Sequence, residues 1–177
     1  MNYIEGKRVS LRLMEEADYW GTIGWLNDQE VTRWMQKPYP QTEQSMKAYA
    51  ESMKDPNLYL AIYLNGQNKH IGNISMRDNR DYNYHSEISI VIGDKSEWGK
   101  GYATDAIKLL TDYCFNTRNI HKLRAGAVVC NEGCIKAFVG AGFRKETIES
   151  EAVYAQGKFR DIVIMTYHKN DWRVNND

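Results

Sequence analysis

Trp98-Gly99-Lys100-Gly101-Tyr102-Ala103-Thr104 lies between an isoleucine-rich run and a long amphipathic stretch, and reads as a strand end, a tight glycine turn and a helix start. Downstream, Ala103, Ala106, Ile107, Leu110 and Cys114 recur at the i, i+3, i+4 spacing of a one-sided helix, so the helix begins at the glycines. The first N–H groups of a helix lack intrahelical partners and stand at the positive end of its dipole, which suits a phosphate or pyrophosphate. Gly99 and Gly101 allow close backbone approach and positive φ, and Lys100 adds a cation. Two glycines making a plain sharp connection would look the same. The spacing is not the dinucleotide fingerprint, and no Gly-x4-Gly-Lys-Ser/Thr loop occurs in the chain.

Working outward, Tyr84 to Ile92 reads as a strand with His85, Glu87, Ser89 and Val91 on one face and Ile88, Ile90 and Ile92 on the other. Val9, Leu11 and Leu13 alternate as a first strand. Glu15 to Asn27 reads as a helix carrying Trp20, Ile23 and Leu26, and Thr42 to Lys54 as a second opened by Thr-x-x-Ser, with Pro38-Tyr39-Pro40 between them. Leu58 to Leu64 and His70 to Met76 suit a hairpin around Asn65-Gly66. A helix from about Gly101 to Phe115, a strand from Lys122 to Cys130, a helix from Cys134 to Ala141 and two strands joined near Gly157 complete a mixed α/β layer fold. Residues 1–168 are expected to form one domain, and residues 169–177 a polar tail that frays.

The 177 residues suffice for one domain with a sizeable core. Lys plus Arg and Asp plus Glu are 23 each, which gives no basis for a general nucleic-acid or membrane surface. The first twelve residues are polar and no apolar run approaches the ~20 residues of a membrane span, so a cytoplasmic location is expected. Three cysteines argue against a disulfide framework, and Cys130, Cys134 and His121 make an incomplete metal set, so no metal is expected.

Trp98 to Ala103 resembles the coenzyme A pyrophosphate loop of the GCN5-related N-acetyltransferase (GNAT) superfamily, in the form found in its ribosomal-protein alanine N-acetyltransferase-like branch. Asn131-Glu132-Gly133-Cys134, followed by Ile135, Phe138, Val139 and Gly142-Phe143, resembles the family's Asn-x-x-Ser helix ending in Gly-Phe. The two elements stand in the family's order, and the resemblance covers nearly the whole chain. It implies a central mixed, mostly antiparallel sheet of about seven strands flanked by helices. It also implies acetyl-CoA as cosubstrate, held by Trp98, Gly99, Lys100, Gly101, Tyr102, Ala103 and Thr104, with Val91, Ile92, Asn131 and Cys134 along the pantetheine and thioester. The acceptor it implies is a small amine (amino sugar, polyamine or drug) or a protein N-terminus, attacking directly in a ternary complex. Homodimers are common in the family. A non-catalytic acyl-CoA-binding sensor is the alternative.

An amine with a pKa near ~10.4 is neutral on the order of one part in a thousand at pH 7, so its attack on a thioester calls for a proton acceptor. Glu87, opposite the isoleucines and at the family's acidic position, is the candidate base, directly or through water; a solvated strand carboxylate would show the same pattern. Asn131 is also a natural helix cap, and Cys134 replaces the usual Ser with a weaker donor. Phe138 stands where many relatives carry a Tyr that protonates the leaving thiolate, so no general acid is assigned. Trp20, Trp25, Trp34 and Tyr39, interleaved with Asn27, Asp28 and Glu30, suit a cationic acceptor, with Asp28, Glu30 and Trp34 as the candidate contacts.

Overall fold

The strands are β1 (Asn2–Glu5), β2 (Val9–Leu13), β3 (Leu58–Leu64), β4 (Lys69–Asp78), β5 (His85–Ile92), β6 (Lys122–Val128), β7 (Arg144–Ala155) and β8 (Lys158–His168). The helices are α1 (Glu16–Leu26), α2 (Gln29–Thr32), α3 (Glu43–Ser52), α4 (Tyr102–Asn116), α5 (Glu132–Gly140) and α6 (Lys169–Asn176). This computed structural model describes residues 1–35, 39–79 and 85–176. Pro38 and Tyr84, named in the expected loop and strand, and Asp177 of the expected tail lie outside the described residues.

All eight strands form one sheet in the order β1-β2-β3-β4-β5-β6-β8-β7, antiparallel throughout except for the parallel pair β5·β6. The expected seven strands thus become eight. The addition is β1, a polar four-residue edge strand whose alternation is too short to register as a pattern and which exists through its pairing with β2.

One face of the sheet carries Leu60, Ile62, Ile74, Met76, Ile88, Leu123, Ala125 and Met165, all buried against Ala106, Ile107, Leu110, Cys114 and Phe115 of α4. Phe138 and Phe143 join this core edge to face at 5.1 Å, which closes α5 onto the sheet. α1 and α3 pack together on the opposite face. Each begins with a capping box, Glu15 with Asp18 and Thr42 with Ser45, so the local signals for their starts agree with the fold.

Two features are set by tertiary packing. Trp20 is 66% exposed, because α1 turns Asp18, Thr22 and Ile23 to the sheet instead. Asp18 and Thr22 are tolerated there because the sheet beneath is polar. Tyr63 donates to Asp18, Asn73 Nδ2 donates to Thr22 Oγ1 at 2.9 Å, and His70 Nε2 lies 2.9 Å from both Asn73 Oδ1 and the Gly72 carbonyl. The tail expected to fray is α6, anchored by Trp172, whose ring lies 5.7 Å from Phe115 and whose Nε1 donates to Asp112 at 2.6 Å.

Candidate active site

β5 and β6 pair in parallel at His85↔Lys122, Ser86↔Leu123 and Glu87↔Arg124. Beyond Glu87, β5 stays registered with β4 up to Ile92↔Gly72, while β6 stays registered with β8 up to Val128↔Ile162. With no further β5·β6 register among the described residues, the sheet opens there into a wedge. Gly93 N donates to the Ile71 carbonyl at 2.9 Å. Antiparallel pairs alternate, so Val91 and Ser89 exchange their backbone hydrogen bonds with β4, whereas the N–H groups of Ile90 and Ile92 point toward the wedge. The candidate donor pair Val91 and Ile92 therefore divides: Ile92 offers its amide to the opening, and Val91 its side chain to the other face.

The glycine turn stands at the mouth of this wedge. Gly99 and Gly101 adopt φ +73° and +82°, left-handed values that suit glycine, and a Cβ at Gly99 would meet nothing within 4 Å. Gly101 is the N-cap of α4, so the free amides of Tyr102, Ala103 and Thr104 open onto the turn. Trp98 Nε1 donates to the Ile92 carbonyl at 2.7 Å and ties the turn to the end of β5. Thr104 lies against Gly140 of α5, whose Cβ would stand 3.4 Å from its methyl group.

Several charges at the turn could not be assigned from the sequence. Lys100 is bound by Glu97 at 2.8 Å, and the nearly buried Glu97 also holds Lys69 at 2.7 Å, with Asp94 on the same Lys69 at 2.8 Å. Lys100 and then Lys69 hold the Glu97 carboxyl below its ordinary value, and the Lys69 hydrogen bond leads in bringing Asp94 down to about 2. Arg8, just before β2, donates Nε to Asp105 at 2.6 Å and Nη1 to the Lys100 carbonyl at 2.9 Å. The Lys100–Glu97 pairing has a local i, i+3 signal; Arg8 has none, being 92 positions from the carbonyl it holds.

Asn131 caps α5, accepting from Cys134 N at 3.2 Å. Burial pushes the Cys134 thiol up to about 11, so it stays protonated and un-nucleophilic. Phe138 is fully buried in the aromatic core.

On the α1/α3 face an open cleft lies over β3, β4 and β5. Its walls are Leu26, Met35, Met46, Tyr49 and Tyr59, and its floor is Asn73, Ser75, Ser89 and Val91. Glu87 shares the strand face of Ser89 and Val91 but stands one alternation outside the cleft, about 7 Å along β5. It is half-buried, opposite Arg77 on β4 and in register with Arg124 on β6.

Asp28 and Glu30 stand in the segment joining Leu26 to Met35, and both are occupied: Lys95 Nζ lies 2.8 Å from each, while the Asp28 carboxylate also caps α2 by accepting from Glu30 N. Trp34 is flanked by two guanidiniums, Arg33 and Arg160, each 5.5 Å from its ring. Among the described residues, no three His, Cys, Asp or Glu side chains gather as for a metal ion, and no helix is long and apolar enough to cross a membrane.

The structure thus has two openings along β5, a wedge beside the free amides of the α4 start and a cleft under α1 and α3. Residues 8–144 match the family model described as the acetyltransferase (GNAT) domain. The uncharacterized N-acetyltransferase p20 of Bacillus licheniformis is 25% identical over 97% of this chain and 99% of its own. Spermidine N-acetyltransferase from Vibrio cholerae, solved in complex with CoA and spermine, superposes with a TM-score of 0.86 at 19% identity, covering 95% of this chain and 99% of that one. Ribosomal-protein-S5-alanine acetyltransferase from Vibrio fischeri gives 0.83 at 20%, covering 97% and 98%. The chain belongs to the GNAT acetyltransferase family and is an acetyl-CoA-dependent N-acetyltransferase.

The residues present fit that cosubstrate. Gly99 leaves open space above the turn, the α4 amides face it, and the wedge exposes the Ile90 and Ile92 amides to a pantetheine arm.

Proposed function

We propose that this enzyme acetylates the primary amine of a small molecule bound in the α1/α3 cleft. The observation that carries the reading is the juxtaposition of two openings on β5: the wedge toward β6 and the cleft over Ser89 and Val91. Acetyl-CoA supplies an activated acyl group; the amine nitrogen bonds to its carbonyl carbon, the C–S bond breaks, and the amine proton leaves to a base. Glu87 serves as that base through water, since it stands one alternation from the cleft rather than in it. The Ile92 amide faces the developing oxyanion. No side chain is assigned to protonate the leaving thiolate, which, with a pKa like the ~8.5 of cysteine, takes its proton from solvent. Asn131 holds α5 beside the wedge, and the protonated Cys134 gives no acetyl-cysteine intermediate.

Calorimetric titration with acetyl-CoA of the wild type and of Gly101→Glu tests the cosubstrate site: saturable binding is expected only for the wild type. Thiol release with an amine mixture tests the base: Glu87→Gln is expected to lose 10²-fold or more in turnover, on the scale of ~10²–10⁴-fold for general base catalysis. Undiminished turnover in Glu87→Gln would remove it from the mechanism. Acetyl-CoA binding without thiol release from any amine favours the sensor alternative.

A further inference from the structure

We infer that the acceptor is a monoamine carried on an uncharged, partly apolar or aromatic body, and that polyamines are poor substrates; this rests on the acetyltransferase reading above. Among the described residues no charged side chain lines the cleft. Leu26, Met35 and Met46 supply apolar, adaptable walls, and Tyr49 and Tyr59 meet edge to face at 5.1 Å as an aromatic side. The floor offers the Ser75 and Ser89 hydroxyls beside Asn73, whose amide is already bonded to Thr22 and His70, and none of these carries a charge to balance a second ammonium.

At the rim, Asp28 and Glu30 are the acidic pair that would draw a polycation toward the Leu26–Met35 wall, and Lys95 already holds both at 2.8 Å, so an incoming ammonium must compete with a tethered one for two carboxylates that keep one net negative charge. Glu87 is a single carboxylate between Arg77 and Arg124 on the same face, and Arg124 is itself paired with Glu149 at 2.9 Å. One amine therefore finds one acceptor for its proton, while a second cationic centre inside the cleft meets neutral walls. Leaving that centre unpaired in the cleft is the penalty that a site imposes when it lacks a partner for a charged group.

The test is steady-state thiol release from acetyl-CoA with tyramine and with spermidine, on the wild type and on Lys95→Gln. In the wild type kcat/KM for tyramine is expected to exceed that for spermidine at least tenfold. Lys95→Gln frees the Asp28–Glu30 pair and is expected to raise kcat/KM for spermidine at least threefold, with tyramine unchanged within twofold; a gain of this kind cannot come from misfolding. Spermidine equal to or better than tyramine in the wild type overturns the inference and leaves the acetyltransferase reading standing. An unchanged spermidine value in Lys95→Gln overturns the role given to the lysine. Turnover of neither amine also overturns the inference, and the calorimetric titration then decides separately whether the acetyltransferase reading falls with it.

Discussion

Arg8 makes the most demanding prediction, because its role is electrostatic and its position is remote in sequence. Arg8→Met keeps the aliphatic stem but strips Asp105 of the guanidinium 2.6 Å away. Asp105 is four residues past the N-cap of α4, so at 1.5 Å per residue its carboxylate stands roughly 6 Å from the helix start where a pyrophosphate docks. Two like unit charges at that separation repel enough to weaken binding roughly threefold at the dielectric of water and roughly a hundredfold at an effective value of 20. Between those limits, a loss of about tenfold in acetyl-CoA affinity is expected for Arg8→Met. Asp105→Asn added to it should return affinity to within about threefold of the wild type. The ion pair is half-exposed, so the thermal midpoint should move by no more than about 2 °C. Calorimetric titration of the four proteins, at low salt and at 0.5 M salt where the difference should shrink, reads the cycle directly. A double variant as weak as Arg8→Met would refute the reasoning and make Arg8 a direct ligand or a prop of the Lys100 carbonyl.

Three further outcomes follow from the geometry. A Cβ at Gly72 would fall 2.2 Å from the Val91 carbonyl oxygen, backbone against backbone, so Gly72→Ala should cost about 3 kcal/mol or more in urea denaturation; Gly24→Ala in α1, with nothing within 4 Å, should stabilise by about 0.5–1 kcal/mol, and the reverse order would disprove the packing argument. Asp94, depressed to about 2 chiefly by Lys69, adds stability that is present above its unfolded value near ~3.9 and is lost as pH falls through 2. The melting-point gap between wild type and Asp94→Asn should therefore be widest above pH 5 and close toward pH 2; a constant gap would deny the linkage. Iodoacetamide at pH 8 should label exposed Cys130 and spare Cys134, whose thiol is pushed to about 11, as peptide mass mapping would report. Equal labelling would reopen a nucleophilic role for Cys134.

Elements whose determinants are local were legible before any coordinates. The glycine turn, the amphipathic α4, the capped starts of α3 and α5 and the alternation in β5 each depend on residues within a few positions of one another. So does the choice of Glu87 as the carboxylate opposite the isoleucines. The exposure of Trp20 and the anchoring of α6 were not legible, because the face a helix buries depends on its partner. A polar sheet surface of His70, Asn73 and Tyr63 drew Asp18 and Thr22 inward and left the tryptophan in solvent.

The sequence by itself determined the family, through the resemblance its motifs carry, and the layered fold and the place of the glycine turn, through local periodicity. Tertiary structure alone decided which charges are spent. Lys95 closing on Asp28 and Glu30, Glu97 on Lys69, and Arg8 on Asp105 join residues that are remote in sequence. An ion pair forms wherever the backbone delivers two opposite charges within a few ångströms, and only the assembled sheet sets those distances. The uncharged cleft has the same origin, because its walls come from α1, α3, β3, β4 and β5 and no single stretch of sequence contains it.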